Sequence, residues 1–270
     1  MDEILIIGAV SDNPFAQDMI QHLGQLEDFS DIISLKSFLN TEFCPRFIVD
    51  ESSWDNIGNK LAGKTIILVS NSVTEITRND LAMRNFLLAR AAKDNGAERV
   101  ILLEPDLFYS AQDRGPRKEH GIVGFKRDLA DYKKFDGQPF SARLYADLLV
   151  RAGVDEVVTV HNHSCSVKSV FLDRFSGAFF NLEPSDVYAS YITDSDVVDD
   201  SRIVLCAPDK GAVPFAREVQ EQLGAEQVPL LRMAKERTAE RGVDIEVAPY
   251  SEVQLGDVEG KDVVVVDDMV

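Results

Sequence analysis

Short runs of apolar, β-branched residues alternate with amphipathic stretches along the whole chain, and this order limits the fold more than any other feature. ILIIGAV (4–10), TIILVS (65–70), RVILLEP (99–105), DEVVTVH (155–161), RIVLCAP (202–208) and DVVVVDD (262–268) read as strands, the last like a buried strand of a parallel sheet. FAQDMIQHLGQL, NDLAMRNFLLARAAKDNGA, SARLYADLLVRAG and VPFAREVQEQLG read as helices, several closing on glycine after the last apolar position. Such a series predicts an α/β fold: a mostly parallel sheet flanked by helices. It runs twice, and 270 residues hold two domains, placed at 1–181 and 182–270. FLDRFSGAFFNLEPSDVYASYI, rich in aromatics and turn residues, reads as the passage between them. The second round is short: after DVVVVDD a loop, a helix and at least one more strand are expected.

Composition removes several function classes. A formal net charge of −18 argues against a nucleic-acid binder or an anionic-membrane binder, both of which need basic faces. It leaves room for a phosphate-bearing small molecule handled by a few local cations or Mg²⁺. The opening MDEILIIGAV reads as acids followed by a strand and not as a signal, and no apolar run is long enough to span a membrane. Cys44, Cys165 and Cys206 are widely spaced and odd in number, which predicts reduced thiols in a cytoplasmic protein.

Several polar residues stand where chemistry is done in such folds. Asp267 and Asp268 follow a hydrophobic strand, either as a solvated turn or as ligands for sugar hydroxyls or a Mg²⁺–diphosphate. In VHNHS, His161 and His163 lie two apart and would share a side of an extended chain, as structural residues or as metal or phosphate contacts. In CAPDKGAVPFAREV, Asp209 sits at a strand tip and Gly211 permits a tight turn before a helix N-terminus, a natural anion site. LRMAKERTAERGVDI carries Lys235 and Arg237 among interleaved acids, either as an exposed helix with i,i+4 pairs or as a mobile arm that reaches a phosphate. SFLNTEF puts Phe38, Asn40 and Glu42 at alternating positions, as a hairpin with one core phenylalanine or as groups that hold a base.

In their order along the chain these segments resemble ribose-phosphate pyrophosphokinase. SFLNTEF, FYSAQDR (108–114), PFSARLYADLL (139–149), VHNHS, APDKG, AKER and VVVVDDM each match a family segment, so the resemblance covers nearly the whole length. It implies two phosphoribosyltransferase-like domains, the second incomplete, and diphosphoryl transfer from Mg-ATP to ribose 5-phosphate in a homo-oligomer. By that resemblance Phe38, Asn40 and Glu42 would hold adenine across a subunit boundary, and Gln112, Asp113 and His163 would line the ATP site. His163 and Asp209 would take Mg²⁺. Lys235 and Arg237 would be the catalytic cations. Asp267 and Asp268, with Asp209, would bind ribose 5-phosphate.

Three departures bear on this expectation. The family's arginine in FYSAQDR falls on Ala111, and His161 replaces its aspartate. GPRKEHGIVGFKRDLADYKKFDGQ (115–138) is longer than the family's connection, and its cations either replace the lost arginine or belong to a solvated loop. The Thr-Gly-Gly-Thr that continues the family's phosphoribosyl loop would fall beyond Val270, which suggests truncation. An inactive subunit that joins an active synthase, or a purine or pyrimidine phosphoribosyltransferase, are the competing expectations.

Overall fold

The computed structural model describes residues 3–11, 13–25, 29–123, 126–162, 164–194, 202–224, 228–238 and 242–267, with the backbone alone along 235–238 and 242–244. It divides into two compact units, Met1–Leu182 and Glu183–Val270.

In chain order the first unit contains β1 (Glu3–Gly8), α1 (Pro14–Leu23), α2 (Phe29–Ile32), β2 (Ile33–Ser37), β3 (Phe43–Phe47), β4 (Lys64–Val69), α3 (Arg78–Asp94) and β5 (Arg99–Leu103). It continues with α4 (Leu129–Lys134), α5 (Ser141–Ala152), β6 (Glu156–Val160), α6 (Cys165–Arg174) and β7 (Phe179–Leu182). A five-stranded sheet runs β1-β4-β5-β6-β7, every neighbouring pair parallel. Its strands alternate sides as a pleat requires. Leu5, Ile7, Ile66, Leu68, Val100, Leu102 and Val157 join the large core that includes Leu81 and Leu88 of α3, Tyr145 of α5 and Phe171 of α6. Ile6, Val69 and Leu103 form the opposite layer with Ala16 of α1.

Local chemistry sets the helix ends. The Asn13 side chain accepts from the Ala16 amide ahead of Pro14, and Thr77 caps α3 in the same way. Gly153 ends α5 at φ 105°, and a Cβ there would stand 2.6 Å from Cγ of Lys93, so this corner admits only glycine without rearrangement.

The second unit holds α7 (Ser185–Asp194), β8 (Ile203–Ala207), α8 (Val213–Leu223), β9 (Leu230–Thr238), β10 (Gly242–Val247) and β11 (Asp262–Val265). Its sheet order is β10-β9-β8-β11, with β8 parallel to both neighbours and β9–β10 an antiparallel hairpin. Leu205, Ala207 and Leu230 pack with Phe215, Ala216 and Val219 of α8, while Val204, Cys206 and Leu231 face the other side.

The six predicted strands and four predicted helices are all present. Two segments fold differently from expectation. The 171–192 passage supplies β7, the edge strand of the first sheet, and then α7 of the second unit. LRMAKERTAERGVDI forms β9 and β10, not a helix. Its charges have helical spacing, but Leu230 and Leu231 are both buried when the segment pairs with β8, at Leu205 and Cys206. Burial on two faces of a sheet outweighs a weak helical preference.

Glu252 ties the hairpin to the rest of its unit. Its carboxylate accepts from the Leu230 amide at 3.0 Å, from Gln220 of α8 at 2.8 Å and from Arg232 at 3.0 Å. Burial alone would raise its pKa; the hydrogen bonds and the Arg232 charge outweigh that and hold it below the usual range. A depressed carboxyl contributes stability above its unfolded pKa and loses it as pH falls through the folded value. Glu252→Ala is expected to cost about 1–3 kcal/mol in urea unfolding, from the unpaired Leu230 amide. The variant should also lose part of the wild-type drop in stability on acidification below about pH 4.5.

Candidate functional site

Parallel pairing brings the strand ends of the first unit to one edge of its sheet. The ladder continues past the strands: Ala9 donates to Val69, Ser70 to Leu103, Glu104 to Val158 and His161 to Leu182, at 2.8–2.9 Å. The polar residues that follow β1, β4, β5 and β6 therefore share this edge, where ligands bind in folds of this kind. Asp106 receives Ser72 Oγ at 3.1 Å and the guanidinium of Arg78. Asn13 donates to Asn71.

Just behind this edge lies a buried polar cluster that the sequence reading missed. Glu104, fully buried, accepts from Tyr145 Oη at 2.8 Å, Asn85 Nδ2 at 2.9 Å and the Phe108 amide at 2.9 Å. Burial pushes its pKa to about 8, because the three donors are neutral and only partly offset the lost hydration. Burial, followed by the nearby Glu104 charge, raises the Tyr145 phenol well above its ordinary value. The available signal was an acid at the end of an apolar strand, LLEP, with no cation beside it in sequence. The bond to the Phe108 amide anchors the start of the FYSAQDR segment.

That segment presents two of the expected nucleotide contacts. Gln112 is exposed, and its carbonyl accepts from Ala142 at the start of α5 at 3.3 Å. Asp113 is buried, with Arg114 Nε at 3.4 Å from its carboxylate. Its carbonyl accepts from Ser166 Oγ of α6 at 2.6 Å. Ala111 is exposed in place of the family's arginine. His161 takes φ 44°, so the chain has already left the extended strand there, and the shared side expected for His161 and His163 does not follow. His163 lies outside the described residues.

Phe38, Asn40 and Glu42 occupy the turn of the β2–β3 hairpin. Phe38 donates to the Glu42 carbonyl at 2.8 Å, and Asn40 Oδ1 accepts from the Glu42 amide at 3.2 Å. They do not alternate along a strand, because Thr41 at φ 72° reverses the chain between them. The hairpin expectation holds, but Phe38 is 46% exposed and is no core residue; Phe43 packs on the core and carries the Arg84 guanidinium 4.5 Å from its ring centre. Phe38 and Glu42 line a groove of about 850 Å³ with Met83, Arg84 and Leu87 of α3.

In the second unit Asp209 lies just past β8 and Asp267 just past β11, the neighbouring parallel strand. The register, Val265 beside Cys206 with Val266 donating to the Cys206 carbonyl at 2.9 Å, puts both on the same sheet edge. Asp267 is half-buried; Asp268 is outside the described residues. One oxygen of Asp209 accepts from the amides of Gly211 at 2.8 Å and Ala212 at 3.2 Å. The amides expected to bind an anion ahead of α8 are thus already bonded to this carboxylate. Lys235 and Arg237 lie on β9 opposite Ile245 and Val243 of β10, beyond the end of β8 in the direction of the same edge. Among the described residues no group of three His, Cys, Asp or Glu converges as a cation site.

The second unit belongs to a broad class: residues 187–270 match the phosphoribosyl transferase domain. Ribose-phosphate pyrophosphokinase of Methanothermobacter thermautotrophicus is 30% identical over 88% of this chain and 70% of its own length. The Methanobrevibacter smithii enzyme of the same name is 32% identical over 61% of this chain and 54% of its own. The crystal structure of phosphoribosylpyrophosphate synthetase from Mycobacterium smegmatis superposes with a TM-score of 0.70 at 23% identity, over 98% of this chain and 71% of that one. The chain belongs to the ribose-phosphate pyrophosphokinase family. Its matches span 50–60% of the length of several of these curated relatives.

The Glu104 cluster predicts an unusual pH dependence. Its folded pKa lies above the unfolded one, so the folded state holds a proton that the unfolded chain releases. Stability should fall as pH rises from about 4.5 to about 8 and level off above that. Glu104→Gln should flatten this slope in thermal unfolding followed between those limits.

Proposed function

We propose that the protein is a ribose-phosphate diphosphokinase. It transfers the β,γ-diphosphoryl group of Mg-ATP to O1 of ribose 5-phosphate, giving phosphoribosyl diphosphate and AMP for nucleotide synthesis. The observation that carries this reading is the position of Asp209 and Asp267 past the ends of adjacent parallel strands, on the edge toward which the hairpin bearing Lys235 and Arg237 extends. Family membership supports it.

In this reading the anomeric hydroxyl attacks the β-phosphorus in line, the bond from that phosphorus to the α,β-bridging oxygen breaks, and AMP leaves with the oxygen. Such chemistry rests on positioning and charge neutralisation. Asp267 and Asp268 accept hydrogen bonds from the ribose hydroxyls and orient the nucleophile. Lys235 and Arg237 balance charge on the transferring group. Phe38 stacks on adenine, Asn40 and Glu42 bond its edge, and Gln112 and Asp113 line the nucleotide site. Mg²⁺, when bound, neutralises phosphate charge. It keeps several waters and needs only one or two protein groups beside the phosphates. A donor set of Asp209 and His163 fits that demand, since one Asp209 oxygen serves its turn and no larger cage of acids is needed.

The exposed Phe38, Leu39 and Met83 beside the groove support a homo-oligomer in which the adenine site is completed by a second copy. Among the described residues no helix is long and apolar enough to cross a membrane. The unpaired Cys44, Cys165 and Cys206 support the reducing cytoplasm as the compartment.

The purified protein with MgCl₂, ATP and ribose 5-phosphate should release AMP; no AMP above background would overturn the reading. Asp267→Ala should raise KM for ribose 5-phosphate about tenfold or more, the loss of about 1.5–3 kcal/mol from a charge-assisted hydrogen bond, with little change in KM for ATP.

A further inference from the structure

We infer that the described residues of this segment, 115–123 and 126–138, are a brace built around Arg127 that positions Gln112 and Asp113. The inference rests on the proposed function only for the identity of the ligand.

Arg127 is a charged side chain left only 5% exposed, and every face of its guanidinium is used. Nε donates to Asp131 at 2.5 Å. The terminal nitrogens donate to the carbonyls of His120 at 2.8 Å and Gly115 at 2.9 Å, and at 3.4 Å to that of Arg117. Tyr132 and Phe135 cover its plane, with ring centres at 4.4 and 5.5 Å. A fork of donors that closes a loop on its own carbonyls is a structural device that lysine cannot reproduce. Burying this charge is favourable only because all of these partners are present.

The brace reaches the nucleotide segment by two routes. Asp131, itself buried, also takes Arg114 at 3.3 Å, and Arg114 in turn lies against the Asp113 carboxylate and over the Phe135 ring. Gly121, at φ 105°, lies so near the Asp113 carbonyl that a Cβ would stand 2.7 Å from it. Beside it the Ile122 amide donates to Ser166 Oγ at 3.2 Å, and that hydroxyl donates to the Asp113 carbonyl. Asp113 is therefore held from the side-chain end by Arg114 and from the backbone end through Ser166, with Arg127 at the base of both routes. The expectation of a wholly solvated loop does not describe this segment, because Arg127 is bonded within it. Arg117, Lys118, Lys126, Lys133 and Lys134 are exposed, whereas Arg114 and Arg127 are bonded inward.

The test compares Arg127→Ala, Arg127→Lys and the double variant Lys133→Ala/Lys134→Ala. Two readouts are used: Mg-ATP affinity by calorimetry, and hydrogen exchange at the amides of Gly115, Ile122 and Ala142. Arg127→Ala should weaken Mg-ATP binding about tenfold or more, the scale of a misplaced contact, and deprotect those amides. Arg127→Lys should recover neither fully, and the double lysine variant should match wild type in both. Binding lost in the lysine variant but kept in Arg127→Ala would overturn the brace. So would unchanged exchange at the three amides, or protection lost evenly across the whole first unit. Failure of the wild-type protein to bind Mg-ATP would instead remove the functional reading, and the exchange data alone would then decide the brace.

Discussion

Parallel strand pairing is the constraint from which the other features follow. Each strand of the first sheet runs the same way, so every strand end opens on one edge and each return must pass over a face as a helix. Side chains of the central strands then alternate into two apolar layers. Polar chemistry is displaced to the segments after β1, β4, β5 and β6. Those segments are tied to the sheet at their first residue, because ladder hydrogen bonds continue one residue past the strands. The second unit repeats the principle with β8 and β11, and adds a hairpin that extends beyond the edge.

Three ionisable side chains turn this scaffold into specific loop geometry, and their environments set their chemistry. Glu104 meets only neutral donors and holds its proton up to about 8. Glu252 has Arg232 beside it and stays ionised below the usual range, after burial is offset. Arg127 is satisfied by one carboxylate and three carbonyls. In each case a side chain joins segments that share no secondary-structure bond: Tyr145 with the Phe108 amide, α8 with the start of β9, and α4 with the 115–120 turn. An uncompensated polar group at any of these places is costly, so the segments are held together or not at all.

Asp209 shows how a predicted site acquires a second duty. Its place at a strand tip followed from RIVLCAPD, but its role as acceptor for the next two amides did not, because that depends on how the turn closes. The same holds for the hairpin residues. Phe38, Asn40 and Glu42 were identified as a set, yet the chain reversal at Thr41, and not strand alternation, groups them.

What the residue pattern established was the periodic part: six strands, their four amphipathic helices, and acids waiting at strand ends. Each depends on neighbours within a few positions, so local order suffices to reveal it. The conversion of LRMAKERTAERGVDI from an apparent helix to a hairpin, the recruitment of β7 as an edge strand, and the closure of 115–138 on Arg127 depended on partners far away in the chain. β8 made a strand of Leu230 and Leu231 by burying both faces, and Asp113 and Ser166 gave the brace its purpose. Long-range burial and long-range hydrogen bonds leave no periodic trace, and so they become visible only when the chain is folded.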